Sequence, residues 1–326
     1  MPYEPRIRSL RVMVKSAYAL QKLRIQTGLR LCANLRAKLK DEAPTETLVD
    51  ADAEDLSADA KKLIKDLYAA YRRLTDGVAK RRTLPAERGF QGEGVISDFA
   101  ELVIAHSYFE LERQEREQFR LMGEVLDTIP VYKHWLGKQV GIGPAMAGVL
   151  VTYFDINKAS YPSQFWAFAG LDVGPPINGV HLARSRRKEH LVERSYVDRN
   201  GETKTKMSTT FDPWLQSKLM GALAVSLIRL NSPYRSYYDY YRHRIESDPN
   251  RMKGTLKDKK KLRDAGESGE NLWHPLRIHR ASLRYMVKQF LADFWRQWRE
   301  IEKLPTRPRY QEQYLGHRHH GQAAAE

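Results

Sequence analysis

Cysteine is nearly absent from this sequence: Cys32 is the single one among 326 residues. A single cysteine cannot form an internal disulfide, so a disulfide-stapled secreted scaffold and a multi-cysteine zinc site are both excluded. No run approaches the ~18 consecutive apolar residues of a membrane-spanning helix, and the N-terminal stretch MPYEPRIRSLRVMVK is charged throughout, unlike a signal peptide. These absences predict a cytoplasmic protein that has no membrane partner.

Several short catalytic signatures are missing as well. The sequence contains no Gly-rich nucleotide-binding loop, no His-Glu-x-x-His and no Cys-x-x-Cys. Each of these would place phosphate-binding amides or metal ligands at a fixed spacing. The residues therefore predict no metal site and no cofactor.

Positive charge is present in excess. Lys and Arg number 55 against 40 Asp and Glu, which gives a net charge of +15. Residues 41–59 hold eight acids and no base, so the rest of the chain is more basic still. Nucleic acid is the first hypothesis for the partner, because such a field attracts phosphate without regard to base sequence. Charge alone fits a soluble basic protein equally well.

Hydrophobic periodicity predicts a mainly α-helical fold that begins with a long arm. Helices are expected at 6–40, 57–82 and 96–126, where apolar residues recur every three or four positions. The apolar face of the first helix is expected to comprise Ile7, Leu10, Val14, Ala17, Leu20, Leu23, Leu31, Leu35 and Leu39. Because charged residues cover the other faces, residues 1–126 are interpreted as a coiled-coil-like arm through which the chain would form a homo-oligomer.

Four parts are expected after the arm: a helix–hairpin–helix domain at 127–246, a basic loop at 247–274, a C-terminal helix within a helical bundle at 275–304, and a flexible tail at 305–326. Within the first part, Arg194–Asp198 and Glu202–Met207 are expected to pair as a small β-hairpin, because Asn200-Gly201 supplies the positive φ of a tight turn. A helical segment over 212–246 would place on one face Leu215, Leu219, Leu223, Leu227 and Leu230.

The motif Gly141-Ile142-Gly143-Pro144 precedes an apolar helix, Ala145–Tyr153, and is typical of a helix–hairpin–helix. Both glycines would permit positive φ and close backbone approach, while Ile142 would fill the space between two helices. Pro144 suits the first helical position. The free N–H groups and the positive end of the helix would then bind phosphate without reading bases. An ordinary tight turn between helices is the alternative interpretation.

Three further motifs follow that hairpin in order: Phe154-Asp155-Ile156, Tyr161-Pro162-Ser163 and Ala167-Phe168-Ala169-Gly170-Leu171. This order resembles the C-terminal half of insertion-sequence transposases of the IS one-ten group, the IS one-sixteen and nine-oh-two relatives included. Their pattern is a GIGP-type hairpin, a short acidic-apolar segment, a Phe-Pro-Ser-like helix start and an "AxxGLxP" end. A helix at Trp214–Leu230 followed by Asn231-Ser232-Pro233-Tyr234 is similar to the family's helix and its "NP…Y" segment. The resemblance covers about 130–245 and implies transposition or recombination of a mobile element, with DNA and structured RNA as partners.

The nuclease half of that family is not recognisable in this sequence. Family members carry an N-terminal RuvC-like domain with four acidic residues, whereas this chain begins with predicted helices and concentrates its acids in the Pro-containing stretch 41–59. The family's serine in a Ser-Gly context is replaced by Gly174-Pro175-Pro176-Ile177-Asn178-Gly179. Ser185 is the best remaining candidate nucleophile, although a solvent-facing loop residue is its simpler interpretation. The residues favour a protein that is not itself an enzyme. The competing interpretation is a catalytic recombinase that uses Ser185 or acts with a separate nuclease subunit.

The densest basic run near the hairpin consists of Arg184, Arg186, Arg187 and Lys188, which are candidate phosphate contacts. A second run at 257–263 is typical of solvated surface. Three functions stay open: a DNA-binding transposase relative without a nuclease domain, a catalytic serine transposase or recombinase that would use Mg²⁺, and a structured-RNA-binding protein, since basic helices also bind RNA shape.

Overall fold

The computed structural model describes residues 5–40, 55–75, 84–172, 191–267 and 272–307. The chain divides into two compact units, Met1–Val125 and Leu126–Glu326. Over the described ranges it is mainly α-helical, with one two-stranded antiparallel sheet in the second unit. The predicted mainly helical fold with a small β-hairpin is confirmed. Among the described helices, none has the length and apolar character needed to cross a membrane.

Three helices form the described part of the first unit: α1 (Pro5–Lys40), α2 (Ala58–Thr75) and α3 (Phe99–Leu126), which ends one residue past the unit boundary. Side chains that touch across α1 and α3 follow one another in opposite order along the two helices. The pairs are Tyr18–Phe119, Arg24–Glu115 and Lys38–Glu101. The two helices therefore run antiparallel. The Arg24–Glu115 ion pair is largely buried, whereas the Lys38 side chain of the other ion pair is 36% exposed.

The buried stripe of α1 differs in part from the predicted one. Leu23 and Leu39 were expected on the apolar face but are 45% and 72% exposed. Ile25 is buried instead of Leu23, because Ile25 continues the three-and-four spacing of the buried residues and Leu23 falls between their turns. Leu39 follows Leu35 at that spacing but lies one residue before the end of α1. Gly28 lies on the same stripe and permits close approach to α3, since a Cβ there would lie 2.7 Å from the Tyr108 ring.

The second unit is assembled around its long last helix. Its helical elements are α4 (Pro130–His134), a 3₁₀ turn (Leu136–Lys138), α5 (Pro144–Tyr153), α6 (Pro162–Phe168), α7 (Pro213–Ser217), a π-helix (Lys218–Leu223), α8 (Ala224–Arg229), α9 (Arg235–Ser247), α10 (Leu256–Asp264) and α11 (Pro275–Ile301). α11 packs against α4, α6 and α9. The core there is aromatic: Trp135 lies against Phe290 and Phe294, and Phe165 also contacts Phe294.

The segment expected to be helical over 212–246 is interrupted near its middle. α8 ends at Arg229, and α9 begins only at Arg235. In the break Asn231 has a φ of 51°, and the ring of Pro233 cannot continue a helix. Leu230 lies past the helix end and is 51% exposed, contrary to expectation.

The four earlier leucines of this segment are fully buried, as expected: Leu215, Leu219, Leu223 and Leu227. A four-residue step exceeds one turn of an α-helix, so four such leucines would drift around its surface. The π-helix between α7 and α8 has a wider turn, which offsets that drift. The leucine spacing and the π-helix together keep one apolar face directed into the core.

The part expected to be a basic loop, 247–274, contains α10. Thr255 is its N-cap: the Thr255 hydroxyl accepts a hydrogen bond from the Asp258 backbone N–H, and the Asp258 carboxylate accepts one from the Thr255 N–H. This reciprocal capping box starts a helix, and the following lysines are good helix formers. Gly254 and Gly266 flank this helix and are typical of a loop, so the sequence favoured a loop despite the Thr255–Asp258 capping box.

The β-hairpin consists of β1 (Leu191–Val197) and β2 (Thr203–Thr209), paired antiparallel. Both strands extend further from the turn than predicted and stop one residue short of the predicted bounds at the turn, which is centred as expected. Of the Asn-Gly pair only Gly201 has a positive φ, 81°. The Asp198 carboxylate closes the turn by accepting hydrogen bonds from the N–H groups of Asn200 and Glu202.

Candidate nucleic-acid interface

The predicted hairpin motif forms the turn between the 3₁₀ segment and α5. The Ile142 N–H donates to the Gln139 carbonyl at 3.1 Å, and the Ile142 side chain is buried. Gly141 adopts a φ of 93°, a left-handed conformation that favours glycine. The turn, the buried Ile142 and the left-handed Gly141 agree with the prediction. The element before the turn is the short α4 with its 3₁₀ extension.

Gly141 is held against α8. The Ser226 hydroxyl donates to the Gly141 carbonyl at 2.9 Å, and a Cβ on Gly141 would lie 3.4 Å from Leu227. Gly141 therefore fixes the turn to the protein, and its close backbone approach is to α8. The expectation that Gly141 helps to bring phosphate to the helix stays a prediction.

Gly143 has a different role from Gly141. Its φ of −94° and ψ of 174° are extended, so the expected positive φ is wrong for this residue. Gly143 is the exposed N-cap of α5, and a Cβ there would meet no atom within 4 Å. Pro144 occupies the first helical position as predicted, and the first turn contains no acidic residue. This end of α5 is therefore open and carries no negative charge of its own.

α5 is a rigid support for that open end. Its side chains are buried without interruption from Met146 to Thr152. The turn that follows α5 is fastened to α11, because the Trp295 indole N–H donates to the Ala159 carbonyl at 2.8 Å and the Arg299 guanidinium donates to the same oxygen at 2.9 Å. The motif residues Phe154 and Ile156 are buried in this part of the core.

The later motifs of the resemblance have structural roles. α6 starts at Pro162, and Tyr161 is its N-cap, in agreement with the predicted helix start. Gly170 has a φ of 63°, and a Cβ there would lie 2.4 Å from the Phe211 ring. Leu171 is fully buried. These residues shape the fold around α6; among them Tyr161 is 43% exposed, and its hydroxyl accepts a hydrogen bond from the Arg307 guanidinium.

The predicted basic run and the candidate nucleophile fall at Arg184, Ser185, Arg186, Arg187 and Lys188, which lie outside the described residues. The second run lies on α10, none of whose residues is buried. On α9 and at its N-cap, Tyr234, Tyr237 and Tyr238 are buried, whereas Tyr240 is 41% exposed. Within the described ranges, no group of three or more His, Cys, Asp or Glu side chains could hold a metal ion.

Two features escaped the sequence reasoning. The first is the charge asymmetry of the β1–β2 hairpin. Its signal is the alternation of basic and neutral residues in Arg194-Ser195-Tyr196 and Lys204-Thr205-Lys206, because alternate residues of a strand share a face. The second is Lys288 on α11, whose Nζ lies 4.3 Å from the centre of the Trp166 ring. Loss of hydration lowers the pKa of Lys288 to about 8, against a weaker opposing attraction to Asp172. No sequence signal marks it, because its burial comes from packing between α6 and α11.

Comparison of the chain with protein-family models, with curated proteins and with solved structures finds no match in any of the three. The function is therefore inferred from the residues and their geometry.

Proposed function

We propose that this chain is a DNA-binding protein related to transposases of the IS one-ten group, acting in transposition or recombination of a mobile element without a nuclease domain of its own. The order of motifs from Gly141 to Leu171 and the net charge of +15 support this proposal. In it, the segment from α4 to α5 acts as a helix–hairpin–helix. The helical first unit acts as a coiled-coil arm for self-association.

The N-terminus of α5 is the observation that carries the proposal. The first N–H groups of an α-helix have no partner within the helix, and the helix dipole places partial positive charge beside them. At α5 they lie next to the exposed Gly143, with no acidic residue in the first turn. A phosphate oxygen could approach this end closely, because Gly143 presents no side chain.

Rigidity makes the site effective. The buried body of α5 and the Ser226–Gly141 hydrogen bond hold the N–H groups in place before any partner arrives. Binding then requires little ordering of the protein, which favours affinity. Contacts of backbone N–H groups to phosphate do not distinguish bases, so this site would contribute sequence-independent affinity.

Gly143→Asp and Gly143→Asn form a matched test pair. Both residues are favourable N-caps in an extended conformation and are nearly equal in size, and only Asp adds a negative charge. We expect Gly143→Asp to weaken binding to unrelated DNA duplexes about fivefold or more, since like charges about 4 Å apart repel by about 1 kcal/mol even in water. Gly143→Asn should bind close to the parent. Fluorescence anisotropy on two duplexes of unrelated sequence measures this.

Other results would contradict the proposal in distinct ways. Equal affinities for the parent and both variants, with unchanged thermal midpoints, would remove the α5 N-terminus from the DNA path. A parent protein that binds no duplex at all would refute the DNA-binding function. Tight binding restricted to folded RNA would favour the structured-RNA alternative.

A further inference from the structure

The β1–β2 hairpin, termed here the ribbon (Leu191–Val197 and Thr203–Thr209), is exposed on both of its faces. All seven residues of β1 and the first five of β2 are exposed. A two-stranded ribbon alone is marginally stable in water, and this one is held mainly by its turn and its base. At the base, the Asp212 N–H donates to the Phe168 carbonyl at 2.9 Å. The ribbon thus projects from a fixed point beside α6.

The two faces of the ribbon differ sharply in charge. Residues directly opposite each other in an antiparallel pair share a face, and faces alternate along each strand. The strand register then assigns to one face, termed here the basic face, Val192, Arg194, Tyr196, Lys204, Lys206 and Ser208. All strand cations lie on this face. The other face carries the only strand acid, Glu193, among neutral residues.

The arrangement at the centre of the basic face is unfavourable for the protein by itself. Arg194 lies directly opposite Lys206 in the register, and like charges opposite one another destabilise a strand pair. Lys204 is paired with Asp198 and Glu202 at the turn. Neither Arg194 nor Lys206 has a carboxylate partner within the described residues. Lys206 Nζ lies instead 5.0 Å from the centre of the Tyr196 ring. An anionic partner would relieve the repulsion.

The dimensions of the ribbon select the form of nucleic acid. The major groove of B-form DNA is ~12 Å wide and admits a two-stranded ribbon, whose strands lie ~4.8 Å apart. Seven strand residues span about 23 Å, enough to follow the groove for several base pairs. The major groove of A-form RNA is deep and narrow and would exclude it.

We propose that the ribbon enters the major groove of B-form DNA with its basic face toward the bases. This inference rests on the proposed DNA-binding function and adds base reading to it. Arg194 and Lys206 meet the O6 and N7 acceptors of guanine, the commonest specific contact in that groove. The phosphate grip at α5 supplies affinity, and the ribbon supplies preference for sequence.

The test uses the full chain and 20-base-pair DNA duplexes enriched for binding from a random-sequence pool. The double variant Arg194→Gln/Lys206→Gln removes the two cations of the basic face that have no carboxylate partner among the described residues. Thr205→Gln/Met207→Gln places two glutamines on the opposite face as a control. We expect the first to lose at least about tenfold in affinity for the enriched duplexes, the scale of one good base contact. The control should bind as the parent does. Circular dichroism checks that both variants fold.

Chemical probing locates the ribbon in the groove. Methylation of guanine N7 with dimethyl sulfate modifies the major groove, and we expect it to block binding of the parent at two or more positions. The block should be absent for Arg194→Gln/Lys206→Gln.

The opposing outcomes distinguish a failure of the ribbon inference from a failure of the proposed DNA-binding function. If the parent binds duplex DNA but guanine methylation and the double variant change nothing, the ribbon proposal fails while the proposed function stands. If the parent binds no duplex, both fail. If an RNA duplex of the same sequence binds as tightly as the DNA, major-groove insertion is refuted.

Discussion

Lys288 on α11 is held in poorly hydrated surroundings. Its amine lies over the Trp166 ring, and its pKa is lowered from 10.5 to about 8 mainly by loss of hydration. At pH values between about 8 and 10.5, the Lys288 amine has lost its proton in the folded state and still holds it in the unfolded chain. Unfolding therefore takes up a proton, and the free energy of unfolding attributable to this group rises as pH increases from about 8 to about 10.5.

We expect Lys288→Met to remove that rise. The variant should be more stable than the parent near pH 7, where the charged amine is held in poorly hydrated surroundings, and the difference should shrink by an amount on the order of 1 kcal/mol by pH 10. Urea unfolding at several pH values measures it. Lys257→Met, at an exposed position on α10, is the control and should follow the parent at every pH. If the free energies of unfolding of Lys288→Met and the parent differ by the same amount at every pH, the lowered pKa of Lys288 is refuted.

The hairpin motif shows how far single residues could be predicted. The sequence predicted the turn, the buried Ile142 and Pro144 at the helix start. It treated Gly141 and Gly143 alike, yet one is left-handed against α8 and the other is an open, extended N-cap. The two glycines differ because Gly141 contacts Ser226 and Leu227, whereas Gly143 does not. That contact joins residues more than eighty positions apart, and periodicity does not report it.

Helix α10 is stabilised by its cap more than by packing, since none of its residues is buried. The N–H and hydroxyl of Thr255 donate to the Asp258 carboxylate and lower the pKa of Asp258. We expect Thr255→Ala to cost about 1 kcal/mol of local helix stability. Amide hydrogen exchange should then become faster within α10. Exchange in α11 should stay unchanged.

Thr255→Ser is the matched control for that measurement. It keeps the hydroxyl that accepts from the Asp258 N–H, so α10 should retain most of its protection. If Thr255→Ala and the parent exchange at the same rate, the capping box does not maintain this helix.

Long amphipathic elements were the most predictable part of the fold. α1 and α11 lie within a few residues of their expected bounds, because many apolar positions repeat the same period. Short elements were harder: α10 depends on a four-residue cap, and the break between α8 and α9 depends on Asn231 and Pro233. The π-helix accompanies leucines spaced four apart, and that spacing does not predict it because an α-helix also tolerates the pattern over short lengths.

The charge of the whole molecule would act through salt-dependent binding. Each phosphate that the protein neutralises contributes about 0.9 to the log–log slope of affinity against salt on B-form DNA. If the overall positive field drives binding, removing four charges from any basic segment should lower the salt slope equally. If one segment contacts the phosphates, only its loss should lower the slope strongly. The basic run at 184–188 and the exposed residues of α10 allow that comparison within one chain.

Two fourfold alanine variants carry out the comparison. One replaces Arg184, Arg186, Arg187 and Lys188; the other replaces Lys257, Lys260, Lys261 and Arg263, so both lose four positive charges from a parent at +15. If the first run contacts phosphate, its variant should lower the slope by up to about 3.6, four times the contribution of one phosphate, and the α10 variant should lower it little. Anisotropy titrations on one duplex at several salt concentrations measure both slopes. Equal reductions would mean that only the overall field matters, and a reduction confined to the α10 variant would move the DNA path to that helix.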